Sequence, residues 1–233
     1  MEIYGSGCII CGSDLNYREE TSNFTCSVCS GTFRSNVQCA QGHFVCDNCH
    51  RADALEYIEQ YCRNSSGKNP LQMAVEVMKN PKIKMHGPEH HFLVPAVLLT
   101  TYYNTTGSRE LLDKKLPIAK ERAQKVPGGF CGNCGNCGAG VGTGIFMSII
   151  NETTPLSGET WKLANLMTAK SLEAIALHGG PRCCKRDVSQ AIETTVDFVQ
   201  KNLGVSMDIN PVLCEFSEKN KECKKQDCKY YPG

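Results

Sequence analysis

The sequence predicts a mainly α protein, with a small cysteine-rich module over residues 1–64 and a helical domain over 65–233. Three observations point there. The 16 cysteines are grouped: seven lie between positions 8 and 49, Cys62 stands alone, and none follows until Cys131. The run Arg-Asn-Ser-Ser-Gly-Lys-Asn at 63–69 is polar and small and reads as a linker or long loop. Beyond it, caps and apolar stripes recur at helical spacing. Apolar content of 41% and charged content of 21% are those of a globular chain. No stretch reaches the ~18–20 uncharged apolar residues of a membrane span. The first residues have neither a basic nor an apolar leader pattern, so the expected location is cytoplasmic. Thiols stay reduced there, and grouped cysteines then indicate metal rather than disulfides. A net charge of +1 gives no electrostatic case for nucleic acid or an anionic membrane as partner.

The N-terminal module carries four Arg, no Lys and eight Asp or Glu over residues 1–66, a formal −4. It is short of apolar residues and has Gly and Ser around each cysteine pair, which predicts loops and short strands. Four ligand pairs follow in order: Cys8 with Cys11, Cys26 with Cys29, Cys39 with His43, and Cys46 with Cys49. A Cys-x2-Cys turn aims two thiolates at one point, and two such pairs close a tetrahedral Zn²⁺ site. Eight ligands therefore make two zincs. Sequential pairing would crowd Cys39, His43, Cys46 and Cys49 onto one ion within eleven residues. Alternate pairing gives Cys8, Cys11, Cys39 and His43 at one ion and Cys26, Cys29, Cys46 and Cys49 at the other. A unit this small buries little, so structural metal substitutes for a core. Its acidity argues against nucleic-acid binding.

Helical signals then come in order. Asn69-Pro70 is a cap and first-turn pair for a helix through Lys79. Pro88-Glu89 starts a second through the apolar stretch 92–103, stopping near Gly107. Ser108 caps a third, with Leu112, Leu116, Ala119 and Ala123 on one face and Pro117 as a kink or restart. The segment 158–178 has only four charged residues, so a helix there should be buried over most of its surface. The last stripe, Val188, Ala191, Ile192, Thr195, Val196, Val199 and Leu203, ends at Gly204.

Between the third and fourth helices lies a Gly-rich loop with Cys131, Cys134 and Cys137. Cys-x2-Cys-x2-Cys is the spacing that wraps three corners of a [4Fe–4S] cube. The interleaved glycines are expected to take positive φ and bring backbone N–H groups to the cluster, with a helix starting near Gly142. Gly138, Gly140, Gly142 and Gly144 also suggest a phosphate-binding turn, but the Lys-Ser/Thr of a P-loop and a preceding strand are missing. A third zinc is the stronger rival. Cys183 and Cys184, with Cys214, Cys223 and Cys228 in the tail, supply the remaining thiols. Three plus one for each of two clusters, the adjacent pair split between them, is the economical division. His86, Glu89 and His90 are the candidate acid–base residues: His90 and His91 fall in a first helical turn, where the dipole keeps imidazole neutral.

The segment Cys39–Cys49 resembles the centre of RING-type and related cross-brace or treble-clef zinc fingers. In RING domains the Cys/His pair is second of four; here it is third, and ubiquitin-ligase activity is not carried over. Taken together, residues 42–50, 86–91, 131–138 and 179–184 resemble an uncharacterised cysteine-rich family of anaerobic bacteria and methanogenic archaea, whose domain sometimes accompanies radical-SAM or methyltransferase modules. The resemblance implies an anaerobic setting and no transferable activity. The expected function is a metal-binding protein with two structural zincs and one or two [4Fe–4S] clusters. It would act in electron transfer or cluster-based sulfur chemistry, with a redox or radical enzyme as protein partner. The alternative is a non-catalytic adaptor whose metals are all structural and whose zinc module docks a partner.

Overall fold

A computed structural model of the chain describes residues 7–27 and 30–233, with 51–53 described by backbone alone. A β-hairpin comes first, β1 (Leu15–Thr25) and β2 (Thr32–Cys39), antiparallel, with Leu15 opposite Cys39 and Thr25 opposite Thr32. Its strands, eleven and eight residues long, exceed the short strands expected. The chain then runs back along the hairpin, where Phe44 meets Phe24 and Phe33 at ring-centroid distances of 5.6 and 6.4 Å. Phe44, Cys26 and Cys46 form a small core of their own.

Eight helices follow: α1 (Asp47–Asn64), α2 (Pro70–Lys79), α3 (Glu89–Thr106), α4 (Leu112–Gln124), the single turn α5 (Phe130–Asn133), α6 (Gly138–Ile150), α7 (Glu159–His178) and α8 (Cys184–Leu203). α2 begins as the Asn-Pro signal dictates, with the Asn69 side chain accepting from the Gln72 N–H at 2.9 Å. α3 is apolar on all sides and therefore central: it packs against α1, α2, α4, α6 and α8. Ala54, Leu55, Ile58 and Cys62 of α1 belong to the same core, so the core continues through the helix that leaves the cysteine-rich module. Pro117 leaves the Asp113 carbonyl without its helical donor, and Arg63 donates to that oxygen instead at 3.5 Å.

Three sequence expectations are corrected. Ser108 makes no side-chain cap; a 3₁₀ turn over Arg109–Leu111 precedes α4. α7 buries only Ala164, Met167 and Ser171, because α6 and α8 cover one side of it and nothing among the described residues covers the other. The glycine run is helix rather than loop. α6 starts at Gly138, not near Gly142, and of the loop glycines only Gly129 and Gly135 have positive φ. The other glycines permit close helix packing. A Cβ on Gly142 would stand 2.9 Å from Pro95 Cδ and 3.1 Å from the His91 carbonyl oxygen. Pro95 has no N–H to offer that carbonyl within the helix, and the glycine backbone packs close beside the proline ring. The helical run also removes the phosphate-turn reading.

Candidate metal centres

The register of the hairpin sets the first centre. Pairing Leu15 with Cys39 brings the Cys8–Cys11 turn beside Cys39 and His43, and the four ligand atoms lie within 4.8 Å of one another. Cys11 Sγ is 3.9 Å from Cys39 Sγ, which is 3.6 Å from His43 Nδ1. Zn–S bonds of ~2.3 Å in a tetrahedron place ligand atoms about 3.8 Å apart. The Ser13 hydroxyl and N–H donate to Cys11 and pull its thiol down to about 6, so it is a thiolate at neutral pH before any ion arrives. The second group gathers Cys26, Cys46 and Cys49 within 4.8 Å at the turn end of the hairpin, with the Cys46 N–H donating to Cys26 Sγ at 3.3 Å. Cys29, the expected fourth ligand, lies outside the described residues. The grouping is interleaved along the chain, as in the alternate pairing. Both groups can hold a metal ion.

Beyond the hairpin, three thiols sit at helix N-termini. Cys137 and Cys183 occupy the N-cap positions of α6 and α8 without a side-chain cap hydrogen bond, and Cys184 is the first residue of α8. These are the positive ends of two helices, where a negatively charged group is favoured. Cys183, Cys214, Cys223 and Cys228 line one cavity between α8 and the C-terminal tail. Three of those sulfurs accept hydrogen bonds: Cys183 from Asn220 Nδ2 at 3.6 Å, Cys214 from the Phe216 N–H at 3.3 Å, and Cys223 from the Lys225 N–H at 3.4 Å. Cys184 looks the other way. It accepts from the Gly87 N–H and feels the charge of Cys137, while Arg182 feels both Cys184 and Cys131. Cys134 is exposed. Among the described residues, only the two N-terminal groups draw three or more ligand atoms within 4.8 Å of one another. The helical-domain thiols stand wider apart than one tetrahedral ion requires.

Burial raises the more enclosed of these thiols. It pushes Cys137 up to about 12 and Cys183 up to about 11, and the Asp187 carboxylate reinforces both. Cys184 is raised further by the same two causes. A cation at these positions would reverse that preference and release protons as it bound. Between the two thiol sets lies Lys185, only 3% exposed, donating to the Ile83 carbonyl at 3.3 Å and standing 5.1 Å over the Phe216 ring. Burial lowers it to about 8, against the opposing pull of Glu89 and of Cys183, Cys184 and Cys214.

The histidine segment is a packed node. Glu89 is fully buried and raised by that burial; its Oε1 accepts from the Lys84 N–H at 2.9 Å. His90 is equally buried, and its Nδ1 donates to the Gly87 carbonyl at 3.0 Å. Neither reaches solvent. Burial, then Lys185, drives His90 well below the ordinary histidine range; the expected dipole effect is not the leading cause. His86 sits 3.2 Å from both Asn220 Oδ1 and Glu222 Oε2, one residue removed from Cys183. It is His91 rather than His90 that meets the triple-cysteine loop: a Cβ on Gly138 would fall 2.0 Å from the His91 ring. Cys62 belongs to the core, with burial pushing it to about 12.

Sequence reasoning passed over Lys185, Asp187, Arg182 and Tyr17. Arg182 donates to the Tyr17 hydroxyl at 2.6 Å and lies over its ring, tying the hairpin to the loop before α8. The charge run Lys-Arg-Asp straight after Cys183-Cys184 was the available signal. No described helix is long and apolar enough to cross a membrane. No curated protein and no solved structure matches the chain. Residues 58–231, three quarters of the chain and all eight helical-domain thiols outside Cys62, match the model of a family of unknown function, DUF5714, and the chain belongs to that family.

Proposed function

We propose that this protein is a two-part metalloprotein: structural zinc holds the N-terminal hairpin, and two [4Fe–4S] clusters in the helical domain carry electrons for a protein partner in an anaerobic setting. One cluster would be held by Cys131, Cys134, Cys137 and Cys184, the other by Cys183, Cys214, Cys223 and Cys228. The observation that carries this reading is the cavity between α8 and the C-terminal tail. Four thiols line it, three of them already accept hydrogen bonds, and they are spread beyond the reach of one tetrahedral ion. N–H donors aimed at sulfur stabilise a reduced, more negative cluster and so tune its potential. When bound, such clusters supply one-electron transfer. The protein's own part is to exclude water, place two helix N-termini and Lys185 against the thiolates, and hold the thiols apart. His86, flanked by Glu222 and Asn220, holds the Asn220 amide that donates to Cys183, and Glu89 with His90 braces the loop that donates to Cys184.

The test is anaerobic purification followed by iron, zinc and sulfide counts with an optical spectrum. Two zincs, about eight irons and matching sulfide, with a broad visible absorption, are expected for this reading. Zinc alone, without that absorption, would overturn it in favour of an adaptor whose metals are all structural.

A further inference from the structure

We propose that α7 is a self-association surface, on which a second copy of this chain docks its own α7 antiparallel about a two-fold axis. The helix is mostly uncharged, yet it covers α6 and α8 with only three buried side chains. Its outward side carries a stripe at helical spacing: Leu166, Lys170, Glu173 and Leu177, separated by four, three and four residues. Leu166 is 38% exposed and Leu177 83%. The order apolar, basic, acidic, apolar is its own complement when reversed. An antiparallel copy centred between residues 171 and 172 sets Leu166 against the partner's Leu177 and Lys170 against the partner's Glu173, each contact made twice. That is the isologous arrangement a two-fold dimer requires. A parallel copy in register would oppose Lys170 to Lys170, so the charges select the antiparallel one. The other two charges of α7, Glu159 and Lys162, pair with each other at 2.9 Å. Among the described residues neither Lys170 nor Glu173 makes an ion pair, and both are exposed. Leu166 to Leu177 spans roughly 17 Å of helix, so the dimer belongs to the small, weak class of interface.

Sedimentation or light scattering on the full chain over a concentration series tests this. The wild type should pass from monomer to dimer mass as concentration rises. L177E should stay monomeric, as should K170E, which sets two carboxylates against each other at both charged contacts across the axis. The double reversal K170E/E173K restores opposite charges there and should recover the dimer. All four side chains are exposed, so the variants should keep the wild-type circular dichroism. A wild type that stays monomeric throughout, whatever other protein it binds, overturns the proposal. So does a dimer that survives L177E, or a double reversal no better than K170E. The measurement reads mass alone, so it stands or falls independently of the iron and sulfide counts.

Discussion

At the scale of single residues, buried titratable groups make the energetics pH-dependent in a predictable direction. His90 is held neutral by burial, so its folded pKa lies well below its unfolded value. The folded chain then binds fewer protons than the unfolded one. The stability this contributes is complete above the unfolded histidine value of about 6.5 and is lost progressively as pH falls below it. Wild-type stability should therefore decline more steeply than that of H90Q between pH 6.5 and 5, by up to ~1.4 kcal/mol per pH unit. Urea midpoints of the two proteins read this as a difference, which cancels the titration of the metal ligands they share; parallel curves would remove the assignment. The residue scale is also where the sequence was least legible. Glu89 and His90 have the residue types of acid–base catalysts, yet Glu89 fills the space over Gly87, where a Cβ would come within 2.1 Å of its carboxylate. Residue type says what a side chain can do, and only the neighbours say whether solvent or substrate reaches it.

At the scale of elements, the two helices α3 and α6 are held together by absent side chains. Gly142 lies against backbone and a proline ring, neither of which can swing aside, so G142A should cost about 1–3 kcal/mol in chemical denaturation. The cost should shrink in a P95A background, which removes the nearest obstacle; an equal cost in both backgrounds would place the strain elsewhere. Caps and stripes made α2 and α8 readable, because the Asn69 cap and the Val188–Val199 stripe act locally. The glycine run was misread because positive φ and close helix approach both demand glycine, and spacing alone cannot separate them. α7 was misread for a related reason: its composition records how apolar it is but not how many neighbours the fold provides.

At the scale of the whole molecule, three seams among the described residues join the cysteine-rich module to the rest: the continuous helix α1, the Tyr17–Arg182 contact, and the Asp14–Lys221 ion pair at 2.8 Å. The proposed centres divide across the molecule in the same way, and selective loss should reveal the division. C228S should lose the iron of the tail cavity while retaining zinc and the second cluster, and C184S should do the reverse. Because Cys183 and Cys184 are neighbours in the chain, the two reduced clusters would lie close enough for their electron spins to interact. The broadened EPR signal of the wild type should become a simple one in either variant. A single signal, unbroadened in the wild type, would mean that the adjacent pair is not shared between two clusters. Grouping and spacing of the cysteines made the two N-terminal ligand groups visible in the sequence. Which of the adjacent pair faces which set was not visible, because it depends on how the tail folds back onto the start of α8.

The thiol left over from all these groups has a use of its own. Cys62 lies in the core at 0% exposure, and burial keeps it protonated far above neutral pH. An alkylating reagent can reach it only when the helices around α3 separate, not when a surface loop frays. Its labelling rate is therefore a clock for global opening, built into the chain.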